Sequence, residues 1–174
     1  MLFVSSTVIA EENATRSYQL PDHGIIQLLV PKSWQEEVHQ PPGRVPPTII
    51  FTPKTGPSFE LLLTPIFSAR QGMVMPTPSE LKKNVERAAE NAKGQAVEKT
   101  ISVKELKGAS AIGYYFSATD RSPKPGEYRH MTQGTLRVGE LAPTFTILTN
   151  DGAESVVADS LAMLKSAVHA PKTP

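Results

Sequence analysis

The side chains best suited to chemistry in this sequence are four histidines, a few methionines and one loop carrying arginine and lysine. His23, His39, His130 and His169 show no H-x-x-x-H or H-x-H spacing, the arrangements that set two rings on one face of a helix or strand. They read as loop and tail residues rather than as a metal set. His130 differs in setting. It shares strand parity with Tyr128, Leu136 and Val138 and is expected to point inward as a satisfied, partly buried side chain. Met73, Met75 and the His130-Met131 pair offer soft donors of the kind that suit Cu(I). Met73 and Met75 also flank Val74 in an apolar loop bounded by glycine and proline, where flexible methionines fill gaps beneath a helix. Packing is the reading adopted, so neither a metal nor a cofactor is expected. Cysteine is absent, which excludes disulfides, thiolate zinc sites, a cysteine nucleophile and a lipidated N-terminal cysteine.

Acyl transfer wants a nucleophile in a strained turn such as G-x-S-x-G, with a base beside it. The nearest segment, Gly108-Ala109-Ser110-Ala111-Ile112-Gly113, has the wrong spacing and falls in a hairpin. The acidic residues are scattered over helices, turns and polar strand faces, and no glycine-rich phosphate loop follows a strand. No catalytic constellation is recognisable, and the chain reads as a non-enzyme. The polar loop Asp120-Arg121-Ser122-Pro123-Lys124-Pro125-Gly126-Glu127, with Arg129 after it, is the best candidate for recognition. Arginine forks bind carboxylates well, so Arg121, Lys124 and Arg129 are the expected partner-binding residues. The rigid Pro41–Pro47 loop holds no strict P-x-x-P. It is expected either to present a partner surface or to shield a sheet edge.

Eighteen basic side chains face seventeen acidic ones, for a net charge of +1, and no dense basic run exists to hold phosphate. Nucleic acid is therefore not an expected partner. At 174 residues with 39% hydrophobic side chains, the chain suits one domain with one substantial core. Residues 1–10 are apolar and small, ending Val8-Ile9-Ala10 before Glu11-Glu12. They resemble the tail of an export signal with its cleavage boundary, although no basic region precedes them. A frayed terminus or a first edge strand is the alternative. The run is too short to span a bilayer, and no other segment reaches that length. Residues 11–174 then form the single domain.

The elements that position these residues follow from periodicity and punctuation. Strands are expected at Tyr18–Leu20, Ile25–Val30, Thr48–Thr52, Ser58–Phe67, Val97–Leu106, Ala109–Thr119, Tyr128–Val138 and Leu141–Thr149. Ile112, Tyr114, Phe116 and Ala118 are expected to share an inward face. Thr77, Pro78 and Glu80 make a capping box with proline in the first turn, and Leu81, Val85, Ala88, Ala89 and Ala92 form the apolar face of the helix that follows. Gly94 is its expected stop. A second helix is expected to open at Asp151, with Glu154 three residues on, and to bury Val157, Leu161, Leu164 and Val168. Ala170–Pro174 is read as a loose tail. Short connections and two helices give an α+β fold: a mostly antiparallel sheet of about six to eight strands packed with two main helices.

An apolar strand running into Val30-Pro31-Lys32-Ser33-Trp34, proline-rich loops, the helix PSELKKNVERAAENA, long hairpin strands and the terminal helix ESVVADSLAMLKSAV resemble the PsbP/DcrB-like family over roughly residues 18–168. The strand-to-Pro-x-x-Trp step is the local signature, and the rest is element order. The resemblance implies an antiparallel sheet with helices around it, and an exported or extrinsic accessory role. That family is known for binding and assembly rather than a shared catalytic site, so no catalytic residues carry over. The chain departs from lipoprotein members in lacking a lipidation cysteine. The expected function is a non-enzymatic, exported, periplasmic or otherwise extracytoplasmic protein that binds another protein in assembling or stabilising an envelope complex. The alternatives are a small-ligand binder with a pocket between sheet and helix, where Trp34 and Tyr114 would sit, and an unrecognised enzyme.

Overall fold

Alternating burial organises the strands. In Glu60–Ile66 every second side chain is buried, and the same period runs through Ala142–Thr149. The structure, a computed structural model, describes residues 12–68 and 74–172. Within them the order is β1 (Asn13–Leu20), β2 (Gly24–Pro31), β3 (Trp34–His39), β4 (Thr48–Pro53), β5 (Glu60–Ile66), α1 (Pro78–Ala92), β6 (Lys104–Lys107), β7 (Ala111–Thr119), β8 (His130–Val138), β9 (Ala142–Thr149), α2 (Glu154–Lys165) and β10 (Val168–Ala170). A seven-stranded sheet runs β3-β4-β5-β9-β8-β7-β6, and a three-stranded sheet runs β1-β2-β10. Every strand pair is antiparallel, so the fold is α+β.

The larger core lies between the two sheets and α2. Tyr18, Leu20, Ile26, Leu28 and Val30 of the small sheet join Ile49, Phe51, Leu61, Leu63, Phe145 and Ile147 of the large one, with Met163 and Leu164 of α2. A smaller core holds α1 against the other face of the large sheet, where Val85 and Ala89 meet Phe116 and Ala118. Strand β7 is thus buried on both sides. The expected Ile112–Ala118 face is the one under α1, while Ala111, Gly113 and Tyr115 face the main core.

The capping box forms as expected. Thr77 caps α1 through the Glu80 N–H, and the Glu80 carboxylate accepts from the Thr77 N–H at 2.7 Å. That helix ends where expected, at Ala92 with Lys93 as its C-cap directly before Gly94, but through right-handed geometry, since Gly94 keeps a negative φ. Several boundaries shift. The first strand spans eight residues rather than three. Trp34–His39, with no expected element, is the edge strand β3. Of Val97–Leu106, the part from Lys104 onward is strand, and the start of the segment is fixed by an isolated bridge between Ala96 and Asp120. The second helix stops at Lys165, so Val168 is no helix anchor. It is exposed in β10, which pairs with β2 in place of the expected loose tail. Ser166 makes this break, accepting the Leu29 N–H and donating to the Met163 carbonyl.

Candidate functional site

Strand register assembles the polar site. Thr119 of β7 lies opposite His130 of β8, which lies opposite Thr149 of β9. One row further in, Ser117 pairs with Thr132, and their hydroxyls are 2.8 Å apart. In an antiparallel sheet directly opposed residues share a face. Parity therefore sets these side chains on the same face as Leu136 and Val138, beside α2. His130 points inward as expected, with about a third of its side chain exposed.

The ring of His130 is held at both nitrogens. Nε2 is 2.7 Å from Asp151 Oδ1, and Nδ1 is 3.2 Å from Thr119 Oγ1. Arg129 Nη1 donates to the other oxygen of Asp151 at 3.0 Å, and the Arg129 N–H donates to Asn150 Oδ1 at 3.1 Å. On the far side, Glu98 Oε2 accepts the Thr119 N–H at 2.9 Å and lies against the Thr119 hydroxyl. The hydrogen bond from His130, and the charge of Arg129, hold the Asp151 carboxyl below its ordinary range despite some desolvation. Burial pushes the Glu98 carboxyl up, but the N–H and hydroxyl of Thr119, its own N–H and His130 outweigh this, so it too is lowered.

Two clefts open onto these strand ends. One, of about 260 Å³, lies beneath the start of α2, between Ala153, Glu154 and Val157 and the row Ser117, Thr119, His130 and Thr132. The other, of about 250 Å³, lies on the α1 side, with an apolar lining of Ala92, Ala96, Ala118, Met131 and Leu148 and with Tyr128 and Arg129 at the loop. Both reach Thr119, His130 and Met131. Tyr128 has its phenol pKa raised by burial and by Glu60, against a hydrogen bond with Ser58.

The three cations expected to bind a partner lie around this end without converging into a basic patch. Arg121 folds back, its Nη2 donating to the Ala96 carbonyl at 2.7 Å, and Lys124 stands exposed with Nζ 3.8 Å from Glu127. Arg129 alone joins the His130–Asp151 cluster. Asp151, the expected helix opener, caps nothing, since α2 begins after Ala153 with no side-chain cap. Glu98, expected in a strand, lies outside any strand in the segment after α1. Trp34 and Tyr114, expected at a ligand pocket, line neither cleft. Trp34 is buried beside Phe59, 4.8 Å between ring centroids, and Tyr114 packs with the smaller core under α1. Met75 is half-buried, and Met73 lies outside the described residues. His130 and Met131 point to opposite faces of β8. Among the described residues no group of three or more His, Asp or Glu is placed to hold a metal ion.

The order Thr119, His130, Asp151 is that of a hydroxyl–imidazole–carboxylate triad, but the surroundings oppose acyl transfer. A negative oxyanion forming near Thr119 Oγ1 would face the Glu98 carboxylate, and the Thr119 N–H that could steady it is already given to Glu98. Ser110, the serine of the glycine-flanked segment, is exposed in the β6–β7 turn. The arrangement is a partly exposed polar cluster between two clefts at one end of an antiparallel α+β domain. The chain matches no family model and no curated protein. Among solved structures it is similar to the solution structure of cyanobacterial PsbP (CyanoP) from Synechocystis sp. PCC 6803, at 11% identity and a TM-score of 0.49, over 97% of this chain and 99% of that one.

Proposed function

We propose that this is a non-enzymatic accessory protein, exported from the cytoplasm, that grips a protein partner at the β7–β8 end. The observation that carries this reading is the pair of clefts on opposite faces of the same strand ends, meeting at Thr119, His130 and Met131. At about 250 and 260 Å³, each is smaller than the roughly 300–1,000 Å³ usual for a small-molecule pocket. Each suits a single partner side chain. The 120–129 loop beside them carries Arg121, Lys124 and Arg129 for orientation.

A photo-crosslinking residue at Lys124 should capture a discrete partner in native envelope preparations, and one at Lys83 on the outer face of α1 should not. Reversing Arg121 and Arg129 to Glu should abolish the Lys124 product. Equal capture from both positions, or a product indifferent to the reversal, would move the binding surface elsewhere. Export is supported by the Val8-Ile9-Ala10 boundary and is tested by N-terminal sequencing, with a mature start near Glu11 expected. No helix of the described residues is long and apolar enough to cross a membrane.

A further inference from the structure

The hydrogen-bond directions around His130 admit two proton counts, and the two are not equivalent. With one proton, on Nε2, the ring donates to Asp151 Oδ1, and Nδ1 must accept from the Thr119 hydroxyl. The single hydroxyl hydrogen is then taken, and Glu98 keeps the backbone N–H of Thr119 and its own but not the hydroxyl. With both nitrogens protonated, Nδ1–H donates to Thr119 Oγ1, and the hydroxyl is free to turn its hydrogen to Glu98, which it lies against. Every donor along Asp151, His130, Thr119 and Glu98 then meets an acceptor, and the two end links are charge-assisted.

Charges near the ring come from the neighbouring elements. The β9–α2 turn supplies Asp151 and the segment after α1 supplies Glu98, while Glu154 in the first turn of α2 and Asp120 after β7 line the clefts on either side. Strands β7 and β9 supply the uncharged Thr119 and Thr149. Arg129, just before β8, is the opposing cation and is bound to Asp151. A positive ring therefore sits between two carboxylates, one of them shared with a guanidinium.

We propose that His130 is a proton-operated clasp, which in mild acid ties the Glu98 segment, β7, β8 and the β9–α2 turn together and at neutral pH lets them loosen. The clefts at this end would be rigid in acidic surroundings and pliable in neutral ones. This deepens the binding reading above and rests on it for its purpose, but its test needs no partner, so the two can fail separately. His169 provides an internal contrast. The Glu140 N–H donates to its Nδ1 at 3.3 Å, and its Nε2 lies 2.7 Å from the His23 carbonyl. Both contacts are satisfied by a neutral ring alone, because a second proton would set two donors against each other.

Hydrogen exchange on the isolated protein tests this at about pH 5.5 and about pH 7.5, with rates corrected for intrinsic pH dependence. Segments 117–121 and 149–154 should exchange about fivefold more slowly in acid, the effect of one hydrogen bond of ordinary net strength, while the Glu140 amide gains no protection. His130→Gln should erase the acid response in both segments, and Thr119→Val should erase it in 117–121, because the hydroxyl relays to Glu98 while the His130–Asp151 link does not pass through it. If His130→Gln does not fold, the 117–121 response of Thr119→Val decides. Equal protection at both pH values would overturn the proposal, as would an acid response in 117–121 that survives in Thr119→Val.

Discussion

Gly108 and Gly94 should respond to the same substitution with opposite sign. A Cβ built on Gly108 would stand 1.9 Å from the Lys165 carbonyl oxygen and 2.8 Å from its carbon, where real contacts essentially never fall below 3.0 Å. Both of those atoms are backbone, at the last residue of α2, so no side chain can swing aside. The β6–β7 turn or the end of α2 must retreat by about 1 Å, which belongs with overpacking at about 1–3 kcal/mol. The upper part of that range applies, because α2 carries the fully buried Leu164 beside this point and would drag it from the core. Gly94 has a negative φ, and a methyl group added there would meet nothing within 4 Å. Gly94→Ala should therefore leave stability unchanged or raise it by about 0.4–1 kcal/mol through the unfolded chain. Urea unfolding of both variants against the parent measures this. A Gly108→Ala loss below about 0.5 kcal/mol, or an equal loss at Gly94, would show that the α2 end does not press on the hairpin as described.

Leu164→Ala should cost about 3–5 kcal/mol in the same assay and the half-buried Leu161→Ala clearly less; equal losses would mean that α2 is rotated from its described face. Glu80, Glu98 and Asp151 all have lowered carboxyl pKa values. Their contribution is fully present above the ordinary carboxylate range of about 4 and is lost as pH falls through the lower folded values. The urea midpoint should drop below about pH 4 and drop less steeply in Glu80→Gln; a midpoint flat to about pH 2.5 would contradict those pairings.

What can be read from the chain depends on how far apart the interacting residues lie. The Thr77–Glu80 box closes within four residues, and its physics is complete in the sequence. The alternation of β5 and β9 is likewise local, as is the parity that turns His130 inward. Strand β3 is invisible there because Gln35, Glu36, Glu37 and Val38 show no buried period; an edge strand beside β4 needs pairing more than burial. Strand β10 resembles more helix because Val168 continues the spacing of Leu161 and Leu164, and what stops α2 is the long-range bond from Leu29 to Ser166. The site is hidden for a related reason. Thr119, Thr149 and His130 meet by register across three strands, which no window of one strand contains. Asp151 carries the local signal of a helix opener, and the structure spends it elsewhere. Its two oxygens go to His130 and Arg129, while α2 starts without a side-chain cap. An N-cap is worth about 1 kcal/mol, and a chain that gives one up to orient a histidine at a cleft is placing that residue under a second demand. That departure from the local rule, more than any motif, is the reason the binding proposal is placed at this end of the sheet.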